Sequence, residues 1–132
     1  MIYKLLMKNL KLIAFLLVLS IFSCEKNASN QEDDLAELQE LKTKITAMAK
    51  NKSCAESSQW DFIALGNKAC GGPKEYIAYS KNIEVSKFLN LVDQYTKAEK
   101  TYNQKWKIGS DCSVTQQPSA VVCVDGNPTF EY

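Results

Sequence analysis

Histidine and arginine are both absent from this 132-residue chain, whose 16 basic residues are all lysine. Without imidazole there is no Ser-His or Cys-His nucleophilic pair and no imidazole metal ligand. Without arginine there is no planar fork for bidentate base readout. The lysines are also offset by 15 acids, so no basic patch speaks for nucleic acid. The five cysteines include no C-x-x-C pair, which removes the usual redox spacing. No internal repeat is visible. These absences point away from an enzyme, from a cofactor or metal centre, and from nucleic acid as a partner.

What is present begins with the first two dozen residues. Lys4, Lys8 and Lys11 precede an uncharged run over 12–22, which stops at Ser23-Cys24 and gives way to Glu25 and Lys26. A basic segment followed by a short apolar one is a secretory signal, too short to span a bilayer comfortably. Ile21-Phe22-Ser23-Cys24 resembles a bacterial lipobox, with an aliphatic residue three before the cysteine and a small one directly before it. The resemblance implies a signal peptide over 1–23 and a membrane partner. Cys24 then carries a thioether diacylglycerol and an amide-linked acyl chain. Several acyl chains at about 0.8 kcal/mol per buried CH₂ hold a protein in the cell envelope, on the periplasmic or surface face of an outer membrane. Residues 24–34 are polar and read as a tether. Their acids resemble the export tags of surface-displayed lipoproteins, or are a spacer entering a helix N-terminus.

With Cys24 assigned to lipid, Cys54, Cys70, Cys112 and Cys123 remain, an even number in an oxidising compartment. Four cysteines allow three connectivities. The spacing favours Cys54–Cys70, closing a short loop worth about 3 kcal/mol in the chain-entropy model, together with Cys112–Cys123.

Leu35, Leu38, Leu41, Ile45 and Met48 form one helical stripe over 33–50, capped by Asp33 or Asp34 and closed at Asn51. Residues 60–65 read as a strand ending in the Gly66-Asn67 turn. Gly71-Gly72-Pro73 is a rigid corner, because two glycines reach positive φ and proline fixes the next φ. The alternating run 76–80 follows as a second strand. A longer helix over 82–107 carries Val85, Phe88, Leu89, Val92, Tyr95, Tyr102 and Trp106 on one face, with Asn82 or Ser80 as cap and Gly109 as stop. Two β-rich runs, 110–115 and 120–124, flank the turn at Gln117-Pro118. In that register Val114 faces Val121 and Cys112 faces Cys123. Asp125-Gly126 and Asn127-Pro128 mark one more turn. The expected fold is α+β: a single domain over 35–132, with two amphipathic helices on a small antiparallel sheet and two disulfides.

Lys68-Ala69-Cys70-Gly71-Gly72-Pro73, residues 76–80, Tyr95, Tyr102-Asn103 and Ser110-Asp111-Cys112 together resemble a group of small, uncharacterised bacterial secreted or lipid-anchored proteins. That resemblance implies architecture and no activity. Asp61, Glu75, Asp93, Asp111, Asp125 and the tyrosines are the groups able to do acid–base work, but so small a core leaves little room for a cleft. The candidate binding surface is Gly71, Gly72, Pro73, Tyr76 and Tyr79. One reading there is an anion nest formed by the glycine N–H groups; the other is a tight turn. Two functions are expected: a protein-binding or inhibitor-like module working through a clamped surface, or a structural lipoprotein whose first helix packs on a larger envelope complex.

Overall fold

The computed structural model describes residues 30–50 and 52–132. The expected signal peptide over 1–23, Cys24, the expected tether up to residue 29 and the expected helix stop at Asn51 lie outside the described residues. The elements run α1 (Gln31–Ala49), a 3₁₀ turn (Ser57–Gln59), β1 (Trp60–Leu65), β2 (Glu75–Ser80), α2 (Val85–Lys105), β3 (Ala120–Val124) and β4 (Asn127–Glu131). This is the expected α+β class. The sheet, however, is two separate antiparallel hairpins, β1–β2 and β3–β4.

α1 begins two residues earlier than its apolar stripe requires, because Asn30 rather than Asp33 or Asp34 is the cap. The Asn30 side chain accepts the Asp33 N–H at 2.8 Å, and Glu32, Asp33 and Asp34 fill the first turn, where the helix dipole favours acids. The last four residues of the expected tether are thereby helical. α2 starts after Glu84, without a side-chain cap; Ser80 instead accepts the Asn82 N–H at the end of β2. It ends at Trp106, three residues before the expected Gly109, and Lys107 takes the positive φ of 53° that follows. The start of α1 meets the end of α2: Gln31 donates to the Tyr102 hydroxyl, and Asp34 accepts from both the Lys105 ammonium and the Trp106 indole.

The β1–β2 hairpin is the middle layer. Its strict alternation sends Ile63, Leu65, Ile77 and Tyr79 to the helices, where they meet Leu38, Ile45, Phe88, Val92 and Tyr95. Trp60, Phe62 and Ala78 turn to the other face and pack on Val121, Cys123 and Phe130 of β3–β4. The register pairs Trp60 with Ser80 and Leu65 with Glu75.

The C-terminal third differs from expectation. Residues 110–118 are irregular, and β3 pairs with β4, not with the run before it. Asp125-Gly126 decides this. Both residues have positive φ, 50° and 76°, as the two-residue hairpin turn between Val124 and Asn127 requires. Val114 therefore does not face Val121, whose partner is Phe130.

The disulfide pairing is corrected with it. Cys54 joins Cys123, and Cys70 joins Cys112, with Cα–Cα distances of 5.3 and 5.7 Å. Cys54 lies near the start of β1 and Cys70 beyond its end. Six extended residues, about 20 Å of strand, stand between the two and forbid the Cys54–Cys70 bridge.

Candidate functional site

The loop from Gly66 to Lys74, between β1 and β2, contains the Cys-Gly-Gly-Pro corner and is fastened on two sides. On one side is α2. Glu99, only 4% exposed, takes three donors: the Asn67 N–H at 2.7 Å, the Lys74 ammonium at 2.7 Å and the Tyr95 hydroxyl at 3.1 Å. A carboxylate so satisfied tolerates burial. Thr96 accepts the Gly66 N–H, and the Asn103 amide donates to the Asn67 carbonyl at 2.7 Å. Burial pushes the Tyr95 hydroxyl well above its ordinary pKa, and the adjacent Glu99 charge adds to the shift. Gly66 is obligatory here. Its φ is +76°, and a Cβ would run into the Glu99 carboxylate.

On the other side is the irregular run 109–118. Beyond the Cys70–Cys112 bridge, the Lys68 side chain is only 15% exposed. Its ammonium donates to the Ser113 carbonyl at 2.7 Å and hydroxyl at 2.9 Å, and lies 3.3 Å from Asp111. Thr115 closes the seam by donating to the Pro73 carbonyl at 2.9 Å. The Ser113 hydroxyl and N–H, and then Lys68, hold the Asp111 carboxyl below the usual range. Two irregular segments distant in sequence are thus locked into one unit by a disulfide, an ion pair and hydrogen bonds on both sides of Val114.

What the unit leaves in solvent is small. Gly71 and Gly72 are exposed at φ of 94° and 82°, with open space where a side chain would stand. Val114 is 94% exposed, far more than Leu35, Val124 or Tyr132, the other exposed large apolar side chains among the described residues.

The sequence-predicted surface is only partly assembled. Gly71, Gly72 and Pro73 stand at the tip, but Gly71 donates its N–H to the Lys68 carbonyl at 2.9 Å, which is turn geometry and removes that donor from an anion nest. Tyr76 is half-buried, its ring edge-on to Phe62 at 5.9 Å. Tyr79 is core, packed at 4.8 Å on Phe88, and does not belong to a docking surface. Glu99 and Val114 were missed. A carboxylate four residues after Tyr95 on an apolar helix face is a legible signal for the first. The β-favouring pair Val114-Thr115 predicts a strand, and the structure has irregular backbone there instead.

No family model, curated protein or solved structure matches the chain.

The remaining polar groups serve local contacts. Asp61 accepts the Phe62 N–H, Glu75 pairs with Lys42, Asp93 with Lys97, and the Asp125 carbonyl accepts from the Asn127 amide. Among the described residues no group of three or more acids or cysteines is placed to hold a metal ion, and no helix is long and apolar enough to cross a membrane. An open hollow of about 620 Å³ lies at the other end of the hairpin, lined by Lys50, Lys52, Ser53, Trp60 and the β3–β4 turn.

Proposed function

We propose that this chain is a lipid-anchored protein of the cell envelope that binds a protein partner through the clamped loop pair formed by residues 66–74 and 109–118. The leader, the lipobox-like Ile21-Phe22-Ser23-Cys24 and the even number of remaining cysteines support the anchor. One observation carries the binding reading: Val114 is held in water by bonds to the residues on either side of it. A loop ordered in advance spends little conformational entropy on docking. The assembly-lipoprotein alternative needs an uncovered apolar face on α1. Beyond exposed Leu35, that stripe is instead docked on the domain's own core, with Leu38 and Ile45 buried and Leu41 and Met48 packed beside them.

The test uses the full-length chain in intact cells, with a photo-crosslinking residue at exposed Ala69 beside the tip or at exposed Ala47 on the outer side of α1. The reading expects a discrete adduct from position 69, none from 47, and loss of the adduct when Cys70 and Cys112 are replaced. Fatty-acid labelling that disappears in Cys24→Ser checks the anchor. Adducts from 47 alone, or from 69 regardless of the disulfide, would contradict the reading.

A further inference from the structure

An outside thiol meets the two disulfides differently. Cys54 is 3% exposed and packs with Trp60, Val121 and Cys123, so the first bridge is shielded. Cys70 and Cys112 are both exposed and belong to no strand or helix. Exchange requires a thiolate to reach one sulfur from the side opposite the sulfur that leaves, so access decides which bond opens and where. At Cys70 the approach is clear. Its neighbours are exposed Ala69, Gly71 and Gly72, and both glycines have open space where a side chain would stand. Cys112 is folded into a turn instead. Its sulfur lies 3.6 Å from the Ser110 carbonyl, and Ser113 bonds back to the Asp111 carboxylate through its N–H and its hydroxyl.

The bond also holds something that gains by its opening. Cys112 has a left-handed φ of 54°, a conformation unfavourable to a residue with a side chain. The run it belongs to is fixed at both ends, where the Ile108 N–H donates to the Asn103 carbonyl and the Ser119 N–H to the Glu131 carbonyl. Between those ends the Lys68 and Thr115 bonds are polar contacts that water can replace. The 66–74 loop keeps its own ties to α2 through Glu99, Thr96 and Asn103. Opening the bridge therefore frees 109–118 and leaves 66–74 docked. We propose that Cys70–Cys112 is a thiol–disulfide exchange site, at which a dithiol of the C-x-x-C class attacks Cys70 and releases the 109–118 run. The attacking thiolate bonds to the Cys70 sulfur as the Cys70–Cys112 bond breaks, and the electron pair leaves on the Cys112 sulfur, which is protonated. The second thiol of the attacking pair, deprotonated in turn, closes on the first and expels Cys70 as a thiolate, which is also protonated. Two electrons and two protons pass to this chain, and the dithiol becomes a disulfide. With no C-x-x-C of its own, this chain is the substrate of the exchange. The consequence in the cell, a loop pair that presents its surface only when oxidised, rests on the binding function proposed above; the exchange itself does not.

The experiment equilibrates the purified full-length chain, in detergent, with graded ratios of reduced to oxidised dithiothreitol. Free thiols are then blocked with iodoacetamide, and the blocked cysteines are located by peptide mass. Cys70 and Cys112 should be blocked at ratios about 100-fold lower than those that open Cys54–Cys123. In the half-reduced protein, amide exchange should rise most over 109–118 while α2 and β1 stay slow. Thioredoxin lacking its second active-site cysteine should be trapped as a mixed disulfide on peptide 69–74, which carries Cys70, and not on 108–132. Because wild-type protein is used throughout, no variant has to fold. Both bridges opening together, Cys54–Cys123 opening first, trapping on Cys112, or a selectively reduced protein whose 109–118 run exchanges as in the oxidised form would each overturn the proposal. An adduct from Ala69 in cells alongside any of these failures would leave the binding surface standing and remove only its redox control.

Discussion

The two disulfides do opposite work. Cys54–Cys123 is inside: Cys54 is 3% exposed and packs with Trp60 and Val121, joining β3–β4 to a hairpin it already touches. Cys70–Cys112 is outside, both cysteines being exposed, and it joins two segments with no strand or helix of their own. The first reinforces a packed core. The second substitutes for one, with polar seams at Glu99, Lys68 and Thr115 completing the task. A small domain that must hold an irregular surface in one shape has few other means, since such a surface buries little apolar area.

The comparison is tested most severely by removing each bridge. The 69- and 42-residue separations give similar formal values, about 4 kcal/mol each in the chain-entropy model. The signatures should differ. Cys54→Ala with Cys123→Ala should lower global stability by about that amount in denaturant unfolding, with additional loss from the void. Cys70→Ala with Cys112→Ala should show first as faster amide exchange over 66–74 and 109–118, while exchange in α2 and β1 stays slow. Equal, global loosening in both variants would erase the distinction.

The polar seam comes next in size. Glu99→Ala strands the Asn67 N–H and frees Lys74, so a loss of about 2–3 kcal/mol is expected, again read by denaturant unfolding, with the loop loosening around Asn67. Two glycines then provide an internal control. Gly66 and Gly126 share a φ of +76°, but only Gly66 has the Glu99 carboxylate where a Cβ would go. Gly126→Ala should cost about 1–2 kcal/mol for the left-handed backbone alone, and Gly66→Ala measurably more. Parity between them would mean Glu99 moves aside freely.

The smallest effect is one of pH. Asp111 has its folded pKa lowered by Ser113 and Lys68, so its contribution is fully present above the ordinary aspartate value of about 3.9 and is lost as pH falls through the lowered folded value. Amide exchange of the 109–118 run, corrected for its intrinsic pH dependence, should speed up over that acid range in wild type but not in Asp111→Asn.

Much of the frame was legible in the amino-acid pattern. The stripes of Leu38 and Ile45, and of Phe88, Val92 and Tyr95, placed both helices, because periodic burial has one geometric reading. The alternation in 60–65 and 76–80 placed the first hairpin. What escaped lies where periodicity is silent. Residues 110–118 contain β-favouring Val114 and Thr115, yet Asp125-Gly126 offers a tighter hairpin to the same strand 120–124 and wins the pairing. With that strand taken, Cys112 is freed to reach Cys70. Tyr79 belonged to a convincing aromatic pair with Tyr76, but their separation by three reverses the face, and only one is near the surface. The corner Gly71-Gly72-Pro73 is legible from its backbone chemistry, whereas the exposure of Val114 depends on contacts distant in sequence.

The central claim is that Cys70 and Cys112 are joined, since the loop pair and the presentation of Val114 depend on it. Tryptic digestion without reduction tests it directly, because Cys54 falls in peptide 53–68, Cys70 in 69–74, and Cys112 and Cys123 in 108–132. The pairing described here predicts one assembly of all three peptides, and a further cut between residues 112 and 123 should leave Cys70 attached to the fragment bearing Cys112. Recovery of 53–68 bridged to 69–74, with 108–132 free and internally closed, would contradict the account.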